Sequence, residues 1–313
     1  MILRRSLTST SPKCQCRRIL VRATKNVAEV SHGILSKEQI NQFNRDGFLV
    51  LPDFATSEEV STLRKRANEL VQGFDPESSS SIFSTKNQAA KTDNYFLDSA
   101  GNISFFFEEK AFDELGRLRQ AKELSINKIG HSMHDMDPVF RAFSRSGKIL
   151  DLVKSLGYVR PLPVQSMYIF KQPNIGGEVV PHQDSSFIYT QPLSCLGLWW
   201  ALEDANRDNG CLWALPQEHK SGLRRRFFVK EGKVQFDHAA PSYDLSSFVP
   251  IECTAGTLVL LQGENVHYSA ENSSPVSRHS YSMHLVESTQ DYTWPADNWA
   301  QRTAENSWIP LYE

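Results

Sequence analysis

From Pro163 onward the chain is a succession of short apolar or alternating runs, at residues 164–170, 196–202, 211–215, 257–261 and 278–285. Turn residues separate them, as at Gly176-Gly177 and Asn209-Gly210. Strand-length segments of this kind hide their apolar faces only by stacking two sheets or by closing one. This half of the chain therefore predicts a sandwich or barrel of the jelly-roll kind. No dinucleotide fingerprint, phosphate loop or nucleophile elbow occurs, so the corresponding α/β folds have no foothold.

The N-terminal half has a helical period instead. Ser36 to Gln39 and Thr56 to Glu59 both read as capping boxes, in which a hydroxyl and a side chain three residues on satisfy free N–H groups reciprocally. Ile40 and Phe43 give the first helix an apolar face, and Gly47 ends it. Phe48 to Leu51 reads as a short strand closed by Pro52. Val60, Leu63, Ala67, Leu70 and Val71 follow at helical spacing. A third helical region is expected over 137–156, with Pro138 at a first helical position and Gly147 as an interruption. The overall expectation is a mainly β protein with flanking helices.

Residues 1–28 carry seven Lys/Arg and no acid, with Ser and Thr clustered at 6–11. That is the composition of an organelle transit peptide. Residues 1–30 are therefore set apart as a basic extension, with a mitochondrial address expected and a disordered tail on a cytoplasmic protein as the alternative. Residues 31–313 are expected to form one domain. The net charge of −2 gives no reason to expect a nucleic-acid partner. No apolar run approaches the ~20 residues of a membrane span. The five cysteines contain no CxxC pair, so no zinc ribbon or thioredoxin-type site is indicated.

His182-Gln183-Asp184 carries the chemistry. On an extended segment, residues i and i+2 point the same way, so both side chains can reach one point inside a barrel. His267 can complete the set from a later strand. Two imidazoles and one carboxylate on one face of a metal leave three positions open, which suits non-haem Fe(II) oxygenases. A His-x-acid pair alone means little, since about one is expected by chance in a chain of this composition. Context strengthens it. Arg278 lies eleven residues after His267, and a guanidinium can take a carboxylate by two parallel hydrogen bonds. Strand alternation puts Arg278 and Ser280 on one face, with His279, Tyr281 and Met283 on the other.

At these residues the sequence resembles the phytanoyl-CoA dioxygenase family, over roughly residues 37–287. The likeness rests on five blocks in order. These are Gly47 to Pro52, His182 to Asp184, Asp208 to Leu212 leading to Pro216 to Lys220, Gly256 to Val259, and His267 to Ser269 followed by Arg278. Gln217-Glu218 replaces the family's usual Gly-Ser, which questions the turn there. The resemblance implies a double-stranded β-helix, cupin-like, that binds Fe(II) and 2-oxoglutarate and consumes O2. It implies that Lys128, Met167, His182, Asp184, Trp200, Ser269, Arg278 and Ser280 contact the co-substrate. Read alone, Lys128 is a surface lysine, and Met167 and Trp200 are core residues. Asp184 fills the place that halide takes in the family's halogenases, so hydroxylation of a C–H bond is expected, on an unidentified substrate. Two other readings stay open: an iron- and 2-oxoglutarate-binding sensor with little turnover, and a zinc-type hydrolase, in which Arg278 has no evident task. Phe105, Phe106 and Phe107 can fill a core or line an apolar mouth.

Overall fold

A computed structural model describes residues 35–86, 89 and 92–312. The basic extension expected over residues 1–30 lies outside them. Two antiparallel sheets dominate. The larger runs in the order β1 (Phe48–Leu51), β11 (Leu258–Gln262), β6 (Leu196–Ala201), β13 (Ser280–Glu287), β4 (Pro161–Ile169), β3 (Ile126–His131), β2 (Ile103–Phe107). The smaller runs β10 (Val249–Ile251), β7 (Leu212–Ala214), β12 (His267–Ser269), β5 (Val179–His182). A hairpin of β8 (Phe227–Lys230) and β9 (Lys233–Phe236) stands apart. This is the mainly β, cupin-like jelly roll that the strand pattern predicts. Crossovers between non-consecutive strands bring the sheets face to face. Trp199, Ala201, Val259 and Leu261 of the larger sheet pack on Leu212, Ala214 and Ile251 of the smaller.

Helices cover the outer face of the larger sheet. α1 (Lys37–Asp46) and α2 (Ser57–Gly73) both carry the expected capping boxes, with reciprocal bonds at Ser36/Gln39 and Thr56/Glu59. Gly47 ends α1 at φ 82°, the left-handed conformation that favours glycine. A side chain there would also collide with His219. A short helix, α3, spans Asn94–Asp98, and another, α4, Met133–Met136. The region expected to be helical over 137–156 is two helices, α5 (Pro138–Ser144) and α6 (Gly147–Ser155). The Asp137 carboxylate caps α5 through the N–H groups of Val139 and Phe140, while Gly147 opens α6 rather than merely kinking one long helix. Beneath them Trp200 and Tyr281 stack on the outer face of the sheet, with Phe143 edge-on to both.

Phe105 and Phe107 join the same core, with Phe105 stacked on Phe74 at 4.3 Å between centroids. Phe106 points to the opposite face, edge-on to Tyr95 and Phe96. All three are buried, so they fill core. The turn at Gln217 forms without glycine. Gln217 takes φ 68° and its N–H donates to the Asp46 carbonyl at 3.0 Å. No helix among the described residues is long and apolar enough to cross a membrane.

Candidate metal centre and its cavity

The sheet interior opens into a cavity of about 130 Å³, lined by both sheets. His182 ends β5 and His267 begins β12, and the two are direct partners in the antiparallel register. Cross-strand neighbours lie close enough for their side chains to meet, and the rings stand 4.3 Å apart between centroids. The strand stops at His182, but Gln183 remains extended at φ −115°, ψ 134°, so Asp184 still points the same way as His182. Asp184 then opens a short turn whose N–H groups bond back to its own carbonyl.

The hydrogen bonding fixes which atoms face inward. Nδ1 of His182 lies 2.9 Å from the Val180 carbonyl, and Nδ1 of His267 lies 3.2 Å from the Asn265 carbonyl. A carbonyl only accepts, so each Nδ1 carries a proton and each Nε2 is the atom turned toward Asp184. Both Nε2 atoms stand 3.6 Å from Oδ1 of Asp184, too far for hydrogen bonds. The three donor atoms lie within 4.8 Å of one another. Burial disfavours the Asp184 charge, but His284 and His267 outweigh it and hold the carboxyl well below its usual range. Burial lowers His267 to about 4, keeping the ring neutral. One carboxylate oxygen and two imidazole Nε2 atoms converge on one point. That donor set fits a divalent cation.

On its other side, Oδ2 of Asp184 faces Nε2 of His284 at 3.3 Å. The carboxylate fits there because residue 197 lacks a side chain. A Cβ at Gly197 would lie 2.7 Å from Oδ2.

Arg278 is buried in the same cavity. Its Nη1 donates to Ser280 Oγ at 2.6 Å, Nη2 to Ser269 Oγ at 3.3 Å, and Nε to the Gly210 carbonyl at 3.1 Å. Burial lowers its pKa to about 10, so it is still a cation at neutral pH. Among the described residues no carboxylate lies within ion-pair distance of it. A buried, uncompensated guanidinium is costly and wants an anion.

Lys128 is a buried cavity-wall residue, not the surface lysine its type suggests. Its Nζ donates to Nε2 of His131 at 3.0 Å and lies 3.4 Å over the Phe83 ring. Burial pushes its pKa well down. Nδ1 of His131 in turn lies 2.6 Å from Ser99 Oγ, and Ser99 donates to the Phe96 carbonyl. Met167 also lines the cavity, with Sδ 3.7 Å from Lys128 Nζ.

Trp200 is the residue the structure does not bring to the site. Alternation on β6 points it outward, stacked on Tyr281 at 5.6 Å and edge-on to Phe143 at 5.2 Å. Its neighbour Trp199 lines the cavity beneath Arg278, whose guanidinium carbon is 5.3 Å from the ring centre. With two tryptophans in a row, one faces each way. Gly197, whose missing side chain accommodates Asp184, sets the parity: 197 and 199 face in. Trp200→Ala will cost about 3–5 kcal/mol of stability in urea unfolding, as large-to-small core changes do, and leave 2-oxo acid binding intact. Unchanged unfolding would refute its place in the core. His284, Ser282 and Lys171 also line the cavity without having been singled out. For His284 and Ser282 the signal existed, because they continue the even-numbered inward face that begins at Arg278.

The family model described as "Phytanoyl-CoA dioxygenase (PhyH)" matches residues 43–280. The chain belongs to the phytanoyl-CoA dioxygenase family. Membership makes it an enzyme of the dioxygenase class. Among its relatives, "Phytanoyl-CoA dioxygenase" of Arabidopsis thaliana is 55% identical, over 90% of this chain and 98% of that one. "Phytanoyl-CoA dioxygenase domain-containing protein 1" of Bos taurus is 46% identical, over 89% of this chain and 99% of that one. Solved structures share the fold at lower identity. The epimerase SnoN, in complex with Fe3+, alpha ketoglutarate and nogalamycin RO, superposes with a TM-score of 0.57 at 14% identity, covering 88% of this chain and 93% of that one. EctD from S. alaskensis, with 2-oxoglutarate and 5-hydroxyectoine, gives 0.54 at 20% identity, covering 80% and 76%.

Proposed function

We propose that this enzyme is an Fe(II)- and 2-oxoglutarate-dependent hydroxylase acting on an unactivated C–H bond. The observation that carries the reading is the placement of two complementary features in one cavity: the His182–Asp184–His267 donor set and the uncompensated cation Arg278. His182, Asp184 and His267 would hold iron through Nε2, Oδ1 and Nε2. Bound iron would supply the activation of O2, coupled to decarboxylation of 2-oxoglutarate to succinate and CO2, with a hydroxyl delivered to the substrate. Every other task falls to the protein. Arg278 takes the distal carboxylate of the 2-oxo acid in its guanidinium fork, and Ser269 and Ser280 hold that fork in place. The carbonyls of Val180 and Asn265 keep both imidazoles in the ligating tautomer. Phe83, Phe96, Phe187 and Trp299 give the cavity an apolar wall that keeps bulk water from the reacting centre.

Arg278 favours this reading over a zinc hydrolase, which has no use for a buried cation of that kind. The test is to incubate the purified protein with Fe(II), 2-oxoglutarate, O2 and chloride in a metabolite extract. The expected result is stoichiometric succinate and a product heavier than its precursor by one oxygen, with no chlorinated product, since Asp184 occupies the halide position. Succinate release that no extract component stimulates would instead support a sensor with little turnover.

A further inference from the structure

Lys171 is a third buried basic side chain in the cavity wall, beside Arg278 and Lys128, and the reading above does not use it. It follows β4 at φ 42°, a conformation that non-glycine residues seldom adopt. Its carbonyl is held by the Asn272 side chain at 2.9 Å and by the Arg278 N–H at 3.3 Å. Its ammonium has three protons. The carbonyls of Gly177 at 2.6 Å and Ser269 at 3.5 Å take two of them. No carboxylate lies within ion-pair distance among the described residues.

Lys171 and Arg278 converge on Gly210. The Gly210 carbonyl accepts from Arg278 Nε at 3.1 Å and from Ser269 Oγ at 2.9 Å. A Cβ on Gly210 would lie 2.6 Å from Lys171 Cε and 3.5 Å from Ser269 Oγ. Lys171 and Arg278 thus both line the one cavity and both reach Ser269, Lys171 at its carbonyl and Arg278 at its hydroxyl. The nearby buried acid Glu108 accepts from Asn127 Nδ2 at 2.8 Å and from the Gly177 N–H at 2.9 Å, both at Oε2, and its charge acts on Lys171 from beyond ion-pair distance.

We propose that Lys171 is a specificity-determining residue for the co-substrate, a second cation that grips the distal carboxylate of the 2-oxo acid together with Arg278. The inference rests on 2-oxoglutarate being the co-substrate. Two like charges side by side in a dry wall are unfavourable until an anion sits between them. Burial and the neighbouring Arg278 lower Lys171 to about 7, against the opposing pull of Glu108, Glu178 and Glu271. An arriving carboxylate favours the ammonium form, so binding takes up a proton wherever the free protein has lost it. The sign follows: affinity is full below the free-state pKa and is lost as pH rises through it.

The experiment measures 2-oxoglutarate binding to the full chain loaded with Mn(II), by calorimetry in buffers of different ionisation enthalpy. Wild type is expected to take up close to one proton near pH 8. Its affinity should fall roughly fivefold between pH 7 and 8, and about tenfold per unit beyond. 2-Oxopentanoate, of the same length without the distal carboxylate, should bind with no such uptake. Lys171→Met should weaken 2-oxoglutarate about tenfold or more at pH 6.5, flatten the pH profile and narrow the discrimination against 2-oxopentanoate. Lys171→Gln, which keeps a donor for the Gly177 carbonyl, should behave likewise. Rescue by Gln, or variants that bind weakly yet keep the wild-type pH slope, would show that Lys171 only pins the loop and would overturn the proposal. Absence of 2-oxoglutarate binding by wild type at every pH would overturn the proposed function as well.

Discussion

His182→Ala, Asp184→Ala and His267→Ala will each abolish iron-dependent turnover while the protein stays folded. Each side chain supplies one of three converging donor atoms, and two remaining donors hold a divalent ion poorly. Losing a partner in the shell outside a metal typically costs 10–100-fold in affinity or activity. Losing a ligand will cost at least about a hundredfold. The fold survives because the three residues lie at strand ends lining a cavity, and each variant leaves the sheet-to-sheet core of Trp199, Val259, Leu261 and Leu212 in place. Iron titration followed by calorimetry, together with succinate release, measures the loss. Asp184→Ala also leaves His284 facing the space where Oδ2 stood at 3.3 Å, so Asp184→Asn, which keeps the shape, is the stricter comparison. Wild-type activity in any of the three alanine variants would remove that residue from the metal centre.

Arg278→Ala will raise the 2-oxoglutarate requirement far more than it harms iron binding. A buried carboxylate that loses its charged partner costs about 3–5 kcal/mol, or roughly a hundredfold to a few thousandfold in affinity. Arg278 makes no contact with His182, Asp184 or His267, so the donor set persists. Arg278→Lys restores charge without the planar fork and should recover only part of the affinity. Binding of 2-oxoglutarate and of Mn(II), measured separately on each variant, divides the two effects. An unchanged 2-oxoglutarate affinity in Arg278→Ala would leave Lys171 or Lys128 as the cation that matters.

The metal donors and Arg278 were legible because their geometry is local. His182 and Asp184 sit two apart on extended chain, and Arg278 and Ser280 share an alternating face. The fold class was legible for the same reason, since β6, β11 and β13 begin and end close to their apolar runs. β2 and β3 were not read as strands. Their residues are buried on both faces, β3 throughout, and a strand without a wet side shows no alternation. Burial on both faces also explains Lys128, which a surface lysine's base rate places in solvent. Trp200 reads on its own as a core residue, which its packing agrees with, and only the resemblance drew it to the co-substrate; adjacent tryptophans offer no internal clue to parity. Only the close approach of Asp184 to Gly197 shows which of the two looks inward. Lys171 carried no signal at all. It is on a loop, and a left-handed backbone at a lysine leaves no mark in the sequence.

The two imidazoles meet only when β12 pairs with β5, strands separated by the whole of β6 to β11. Contacts between such distant segments cost more chain entropy to close than local ones. A nascent chain therefore carries the cage in two halves. On the proposed function, iron would act as a ligand of the finished protein alone, adding stability in proportion to RT ln(1 + [Fe]/Kd). On that reading iron supply would bear on the stability of the folded protein as well as on its rate.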